Sequence, residues 1–137
     1  MDCPDLSELA GEKFRWVTQQ EWFEVTGNTK DTCRDPWYYE IPGRLGKIVP
    51  WGPGLLAMVI DGRPLKSKEA YNLSWVTQER SQLGDDGVNA VFEVKHFKLA
   101  TKFLKSHKAR EYTPEQREEL RQRMLRIRAL DNNPPAR

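Results

Sequence analysis

Hydrophobic and polar positions change their period several times along this chain, and each change marks an element. Residues 6–10, Leu-Ser-Glu-Leu-Ala, predict a short helix stopped at Gly11. Thr18-Gln19-Gln20-Glu21 has the spacing of a capping box. It predicts a second helix that carries Trp22, Phe23 and Val25 and ends near Gly27. Residues 28–36 are polar and turn-rich, and predict a loop.

The pattern then shortens. Residues 37–41 are aromatic and β-branched, 47–49 are apolar, and 55–60 form a continuous apolar run. Gly and Pro at 42–43, 46 and 50–54 separate them, which predicts an antiparallel meander. Asp61-Gly62-Arg63-Pro64 closes the block as a turn, and residues 67–71 add a helical turn. Residues 73–78 predict another strand. Val88, Ala90, Phe92 and Val94 alternate with Asn89, Val91, Glu93 and Lys95, a period of two that makes the partner strand of a hairpin.

Beyond residue 96 the period lengthens to that of a helix. Phe97, Ala100, Phe103, Leu104 and His107 fall on one face. Thr113-Pro114-Glu115-Gln116 starts a last helix, with Thr as cap and Pro in the first turn. Leu120, Met124, Ile127 and Leu130 form its apolar stripe.

These elements predict the α+β class. A single domain covers residues 1–130, with short N-terminal helices and a central antiparallel sheet of about four or five strands. Two amphipathic basic helices end it, from about residue 96, and residues 131–137 form a disordered tail. Composition agrees with a folded chain. Mean hydropathy is −0.76, yet five Trp, five Phe and four Tyr supply bulk for a core. No run approaches the roughly 20 apolar residues that a membrane span needs. The start, Met1-Asp2-Cys3-Pro4-Asp5, is acidic and unlike a secretory signal, so a cytoplasmic location is expected. Cys3 and Cys33 match no zinc spacing and read as reduced thiols, although a disulfide between them stays open. No metal and no cofactor is expected.

The net charge of +2 conceals an uneven distribution. Residues 1–94 hold ten Lys and Arg against fifteen Asp and Glu, a balance of −5. Residues 95–137 hold twelve against five, a balance of +7. A basic helical end on an acidic body suits an anionic partner, DNA or RNA above all. The first helix of that end presents Lys98, Lys102 and Lys105, and Lys108 and Arg110 continue the run. On the last helix Arg117, Arg121 and Arg128 lie within about 40° of one another at 100° per residue. Arg117 and Arg121 repel at a spacing of four. A bound anion offsets that cost, and so does a nearby glutamate. Arg123 pairs on paper with Glu119. The leading expectation is a non-enzymatic nucleic-acid-binding protein; the competing one is an ordinary solvated helix surface.

Two other readings come from other segments. Residues 41–54 place Arg44, Lys47 and Trp51 on a rigid, turn-rich surface, and Trp and Arg dominate protein hot spots. A protein-interaction module, an inhibitor or assembly factor, is therefore the alternative, set against a Trp51 packed in the core. Glu93-Val94-Lys95, with Asp61, Asp85 or Asp86 nearby, superficially resembles the Asp…Glu-x-Lys element of a large nuclease superfamily. That resemblance implies a divalent metal held by Asp61 or Asp86 with Glu93, and Lys95 beside the phosphoryl group. The reading requires Asp61 or Asp86 to approach Glu93.

Overall fold

The computed structural model describes residues 2–109 and, beyond them, Glu115, Glu118, Glu119, Arg121, Gln122 and Arg123. The chain opens with α1 (Leu6–Ala10). The Asp5 carboxylate caps it by accepting from the Ser7 amide at 2.9 Å, and Gly11 at φ 54° ends it. Next come β1 (Val17–Thr18) and α2 (Gln20–Thr26), which stops at a left-handed Gly27. A 3-10 turn over Pro36–Tyr38 leads into β2 (Tyr39–Pro42). β3 (Lys47–Gly52) and β4 (Leu55–Asp61) form a hairpin, and α3 (Pro64–Tyr71) follows. β5 (Gln82–Leu83), β6 (Gly87–Glu93) and α4 (Phe97–Leu104) complete the described order.

The α+β class holds. Six strands, all antiparallel, make one sheet in the order β1-β2-β3-β4-β6-β5. Alternation sorts the side chains of the central strands onto two faces. Ile48, Leu56, Met58, Ile60, Val88, Ala90 and Phe92 point to the main core, where Leu6, Trp22, Ala70, Phe97, Ala100 and Leu104 meet them from the helices. Leu56, Met58, Ile60 and Phe92 are fully buried, and each such side chain contributes about 1.5–3 kcal/mol. Val49, Ala57 and Val91 cluster on the opposite face with Leu55 and Val59.

Several expectations require correction. The Thr18 capping box does not form. Thr18 lies in β1, Gln19 is the residue that precedes α2, and the Thr18 hydroxyl donates to the Asp31 carboxylate at 2.9 Å. A long-range partner outbid the local one. Residues 73–78 are not a strand: Val76 makes one isolated bridge to Phe92, and β5 takes the ladder position instead. Trp75 satisfies its apolar surface by an edge contact with Phe92, ring centroids 5.3 Å apart. Four or five strands therefore become six.

Trp51 is not core. It lies at a β-bulge between Pro50 and Gly52 and is 40% exposed. His107 is not on the inner face of a helix, because α4 ends at Leu104; it is exposed in the extended segment that follows. Of the expected last helix, the six described residues are helical. Arg110, Arg117, Arg128 and the tail 131–137 lie outside the described residues. Among the described residues no helix is long and apolar enough to cross a membrane.

Candidate nucleic-acid interface

The amphipathic sequence of α4 fixes the first part of the surface. Phe97, Ala100, Thr101 and Leu104 are buried at the spacing of one helical face, so Lys98 and Lys102 must point outward. They are exposed and four residues apart, a like-charge pair that costs a few tenths of a kcal/mol in an isolated helix. Lys98 also sits in the first turn, where the helix macrodipole favours acids and disfavours cations. The helix itself gives no reason for a lysine there.

Lys105 ends α4 in the left-handed conformation, at φ 53° and ψ 55°. The Ser106 amide donates to the Thr101 carbonyl at 3.0 Å and the Lys105 amide to Lys102 at 3.4 Å, which is the Schellman arrangement. Glycine is the usual residue at that position. Lys105 is the one non-glycine with positive φ among the described residues. Its charged side chain is kept where the backbone favours no side chain at all.

Residues after Lys105 then run between two other segments. His107 donates its amide to Pro42 at 3.0 Å and accepts from the Arg15 amide at 2.9 Å. The Ala109 amide donates to Lys13 at 2.9 Å, and Phe14 bridges Lys108 in antiparallel fashion. On the other side the Arg44 amide donates to the Lys105 carbonyl at 3.0 Å. This close approach depends on Gly43, where a Cβ would meet the Leu104 carbonyl oxygen at 2.7 Å. The result is a set of exposed cations on adjoining segments: Lys98, Lys102, Lys105 and Lys108 with Lys13, Arg15 and Arg44. Among the described residues none of the seven is in an ion pair.

Trp16 belongs to the same region and is 39% exposed. Its ring leans on Tyr39 at 4.6 Å between centroids. Tyr39 is buried, and that burial together with the neighbouring Cys33 raises its phenol above the ordinary range, so the brace stays neutral. Neither Trp16 nor Arg15 was singled out by sequence pattern. The signal was present as Lys13-Phe14-Arg15-Trp16, cations interleaved with aromatics.

The other candidate residues are placed less favourably for their expected chemistry. Arg121 is exposed and paired with Glu118 at 2.9 Å, so a glutamate one turn away takes up its charge. Arg123 pairs with Glu119 at 3.8 Å, as its spacing suggests. Lys47 pairs with Glu40 at 3.6 Å, while Arg44 lies beside Lys105 and Trp51 near the far end of β3. Arg44, Lys47 and Trp51 are therefore not one cluster.

The nuclease-like grouping is not assembled. Asp61 pairs in register with Gly87, and Glu93 with Leu55, at opposite ends of the β4–β6 ladder. Six residues of strand separate them, about 20 Å at 3.3–3.4 Å per residue. Asp86 lies at the Asp61 end, where its carbonyl accepts from the Gly62 amide. Glu93 and Lys95 neutralise each other at 3.1 Å, both exposed. Among the described residues no group of three or more His, Cys, Asp or Glu is placed to hold a metal ion. Cys3 and Cys33 are both free thiols.

The chain matches no protein-family profile, no curated protein and no solved structure.

Proposed function

We propose that the protein binds nucleic acid through the surface made by α4, residues 105–109 and residues 13–16. The observation that carries this reading is the convergence of seven exposed lysines and arginines, six from these three segments and Arg44 from the adjoining β2–β3 turn, with no carboxylate paired to any of them among the described residues. Glu12 is exposed in the cleft that Lys13 and Lys98 also line but pairs with neither, so the surface keeps an excess of positive charge. Lys98 opposes the helix macrodipole, and the few tenths of a kcal/mol that Lys105 gains from the carbonyl end of α4 do not offset the cost of its left-handed backbone. A phosphate backbone supplies the missing counter-charge, and release of its condensed counterions supplies the driving force.

Retention of a labelled mixed-sequence oligonucleotide at low salt tests this. The wild type retains it. The Lys98→Gln, Lys102→Gln, Lys105→Gln, Lys108→Gln variant retains much less, while its thermal unfolding stays cooperative. Equal retention by both proteins, or none by the wild type, refutes the assignment.

Contact with a protein partner is the second reading, and one observation favours it. Trp51 is 40% exposed at the β3 bulge, between Pro50 of β3 and the β3–β4 turn that contains Pro53. A partner recognised there loses affinity on Trp51→Ala and keeps it in the quadruple Lys→Gln variant. The opposite pattern removes this reading.

A further inference from the structure

We propose that the cleft between residues 11–16 and 107–109 receives an unpaired base of a single strand, stacked on Trp16, and that the protein prefers single-stranded to duplex nucleic acid. The inference rests on the nucleic-acid reading above and adds the form of the ligand. The cleft has a volume of about 690 Å³ and is lined by Phe14, Arg15, Trp16, His107 and Lys108, together with Gly11 and Ala109. It is within the size range of small-ligand pockets, and no carboxylate lines it.

Its walls are held by backbone bonds rather than by loops free to collapse. Residues 13–15 and 107–109 are joined by Arg15 to His107 at 2.9 Å and by Ala109 to Lys13 at 2.9 Å. Behind Trp16, Tyr39 is fixed by its own burial and by donation from its hydroxyl to the Cys33 carbonyl at 3.4 Å. A large ring is thus presented at low entropic cost, with two exposed cations, Arg15 and Lys108, in the same cleft. An aromatic platform flanked by cations is what a splayed-out base and its phosphates need. Bases in a duplex are already stacked and paired, and cannot stack on Trp16 without being extruded at a cost of a few kcal/mol. Phosphates of either form can contact the lysines of α4, but only an unpaired base gains the Trp16 contact.

The test compares one fluorescently labelled oligonucleotide as a single strand and annealed to its complement, with the whole chain at fixed salt. The wild type binds the single strand more tightly. Trp16→Leu lowers single-strand affinity about 5- to 100-fold and brings the single-strand to duplex ratio towards one, whereas Trp16→Tyr retains most of the preference. Ultraviolet crosslinking of a 5-bromouracil-substituted single strand to the wild type needs no variant and should label the stretch containing Phe14 and Trp16. Equal affinity for both forms, an equal loss for both in Trp16→Leu, or crosslinks that all fall outside residues 13–16 overturn the single-strand inference and leave the basic surface standing. Failure of both forms to bind the wild type overturns the nucleic-acid reading and this inference with it.

Discussion

Replacing Lys105 with glycine sets backbone preference against ligand contact. A side chain in the left-handed region costs about 1–2 kcal/mol. Glycine removes that cost but adds about 0.5–1 kcal/mol of flexibility to the unfolded chain. The lost cation near the last carbonyls of α4 subtracts a further few tenths. With φ 53° and ψ 55° at Lys105, the balance is about 0.5 kcal/mol in favour of glycine, or a rise of about 2 °C in Tm for a chain of this size. Nucleic-acid affinity moves the other way. One lost phosphate contact reduces the slope of log K against log salt by about 0.7 for a single strand and 0.9 for a duplex. Calorimetry and fluorescence anisotropy at three salt concentrations read the two effects separately. Lys105→Ala is the control: it loses the charge, keeps the strained backbone and gains no stability. A lower Tm for Lys105→Gly, or an unchanged slope, refutes the argument that the charge is retained at the expense of the helix end.

Three further outcomes follow from the geometry. Gly43→Ala places a Cβ 2.7 Å from the Leu104 carbonyl oxygen and 3.1 Å from the Ser106 Cα, both backbone, and should cost about 1–3 kcal/mol in urea denaturation. A loss under about 0.5 kcal/mol would mean that the turn and the end of α4 part easily. Lys95→Ala breaks an exposed pair and should change stability by less than about 1 kcal/mol, and incubation with DNA and Mg²⁺ should give the same result for variant and wild type. Burial, with Asp35 and Asp5 nearby, pushes the Cys3 thiol up to about 11. The thiolate is the reactive form, so at pH 8 iodoacetamide should modify Cys3 about 100-fold more slowly than an ordinary cysteine, with the rate rising as the pH approaches 11 and the difference vanishing in denaturant. A rate at pH 8 equal to that of the unfolded chain contradicts the shielding.

What the sequence made legible was decided by how local the cause is. β6 could be read because alternate residues answer to one buried face, and α4 because Phe97, Ala100 and Leu104 recur at the helical spacing. The glycine that ends α2 was equally plain, since the left-handed turn at φ 71° belongs to that residue alone. Errors arose where a distant partner outweighed a local pattern. Thr18 has the spacing of a cap, but Asp31 takes its hydroxyl. Residues 73–78 have strand-like composition, but Trp75 is satisfied by packing and the ladder passes to β5.

The candidate site divides in the same way. Lys98 and Lys102 were visible as the outer face of an amphipathic helix. Their association with Lys13, Arg15 and Arg44 was not, because it depends on residues 105–109 passing between residues 13–15 and the β2–β3 turn. Conversely, Asp61 and Glu93 looked compatible as long as register was unknown, and the β4–β6 pairing separates them.

Binding by the proposed surface is driven by counterion release, so it must depend on salt. Affinity of the wild type for a mixed-sequence oligonucleotide should fall linearly on a plot of log K against log salt. If at least four of the seven cations contact phosphates, the slope is about −3 or steeper. The Lys98→Gln, Lys102→Gln, Lys105→Gln, Lys108→Gln variant should give a slope near −2 or shallower, from Lys13, Arg15 and Arg44 alone. A wild-type slope near zero, or a slope unchanged in the variant, rules out phosphate binding by these cations.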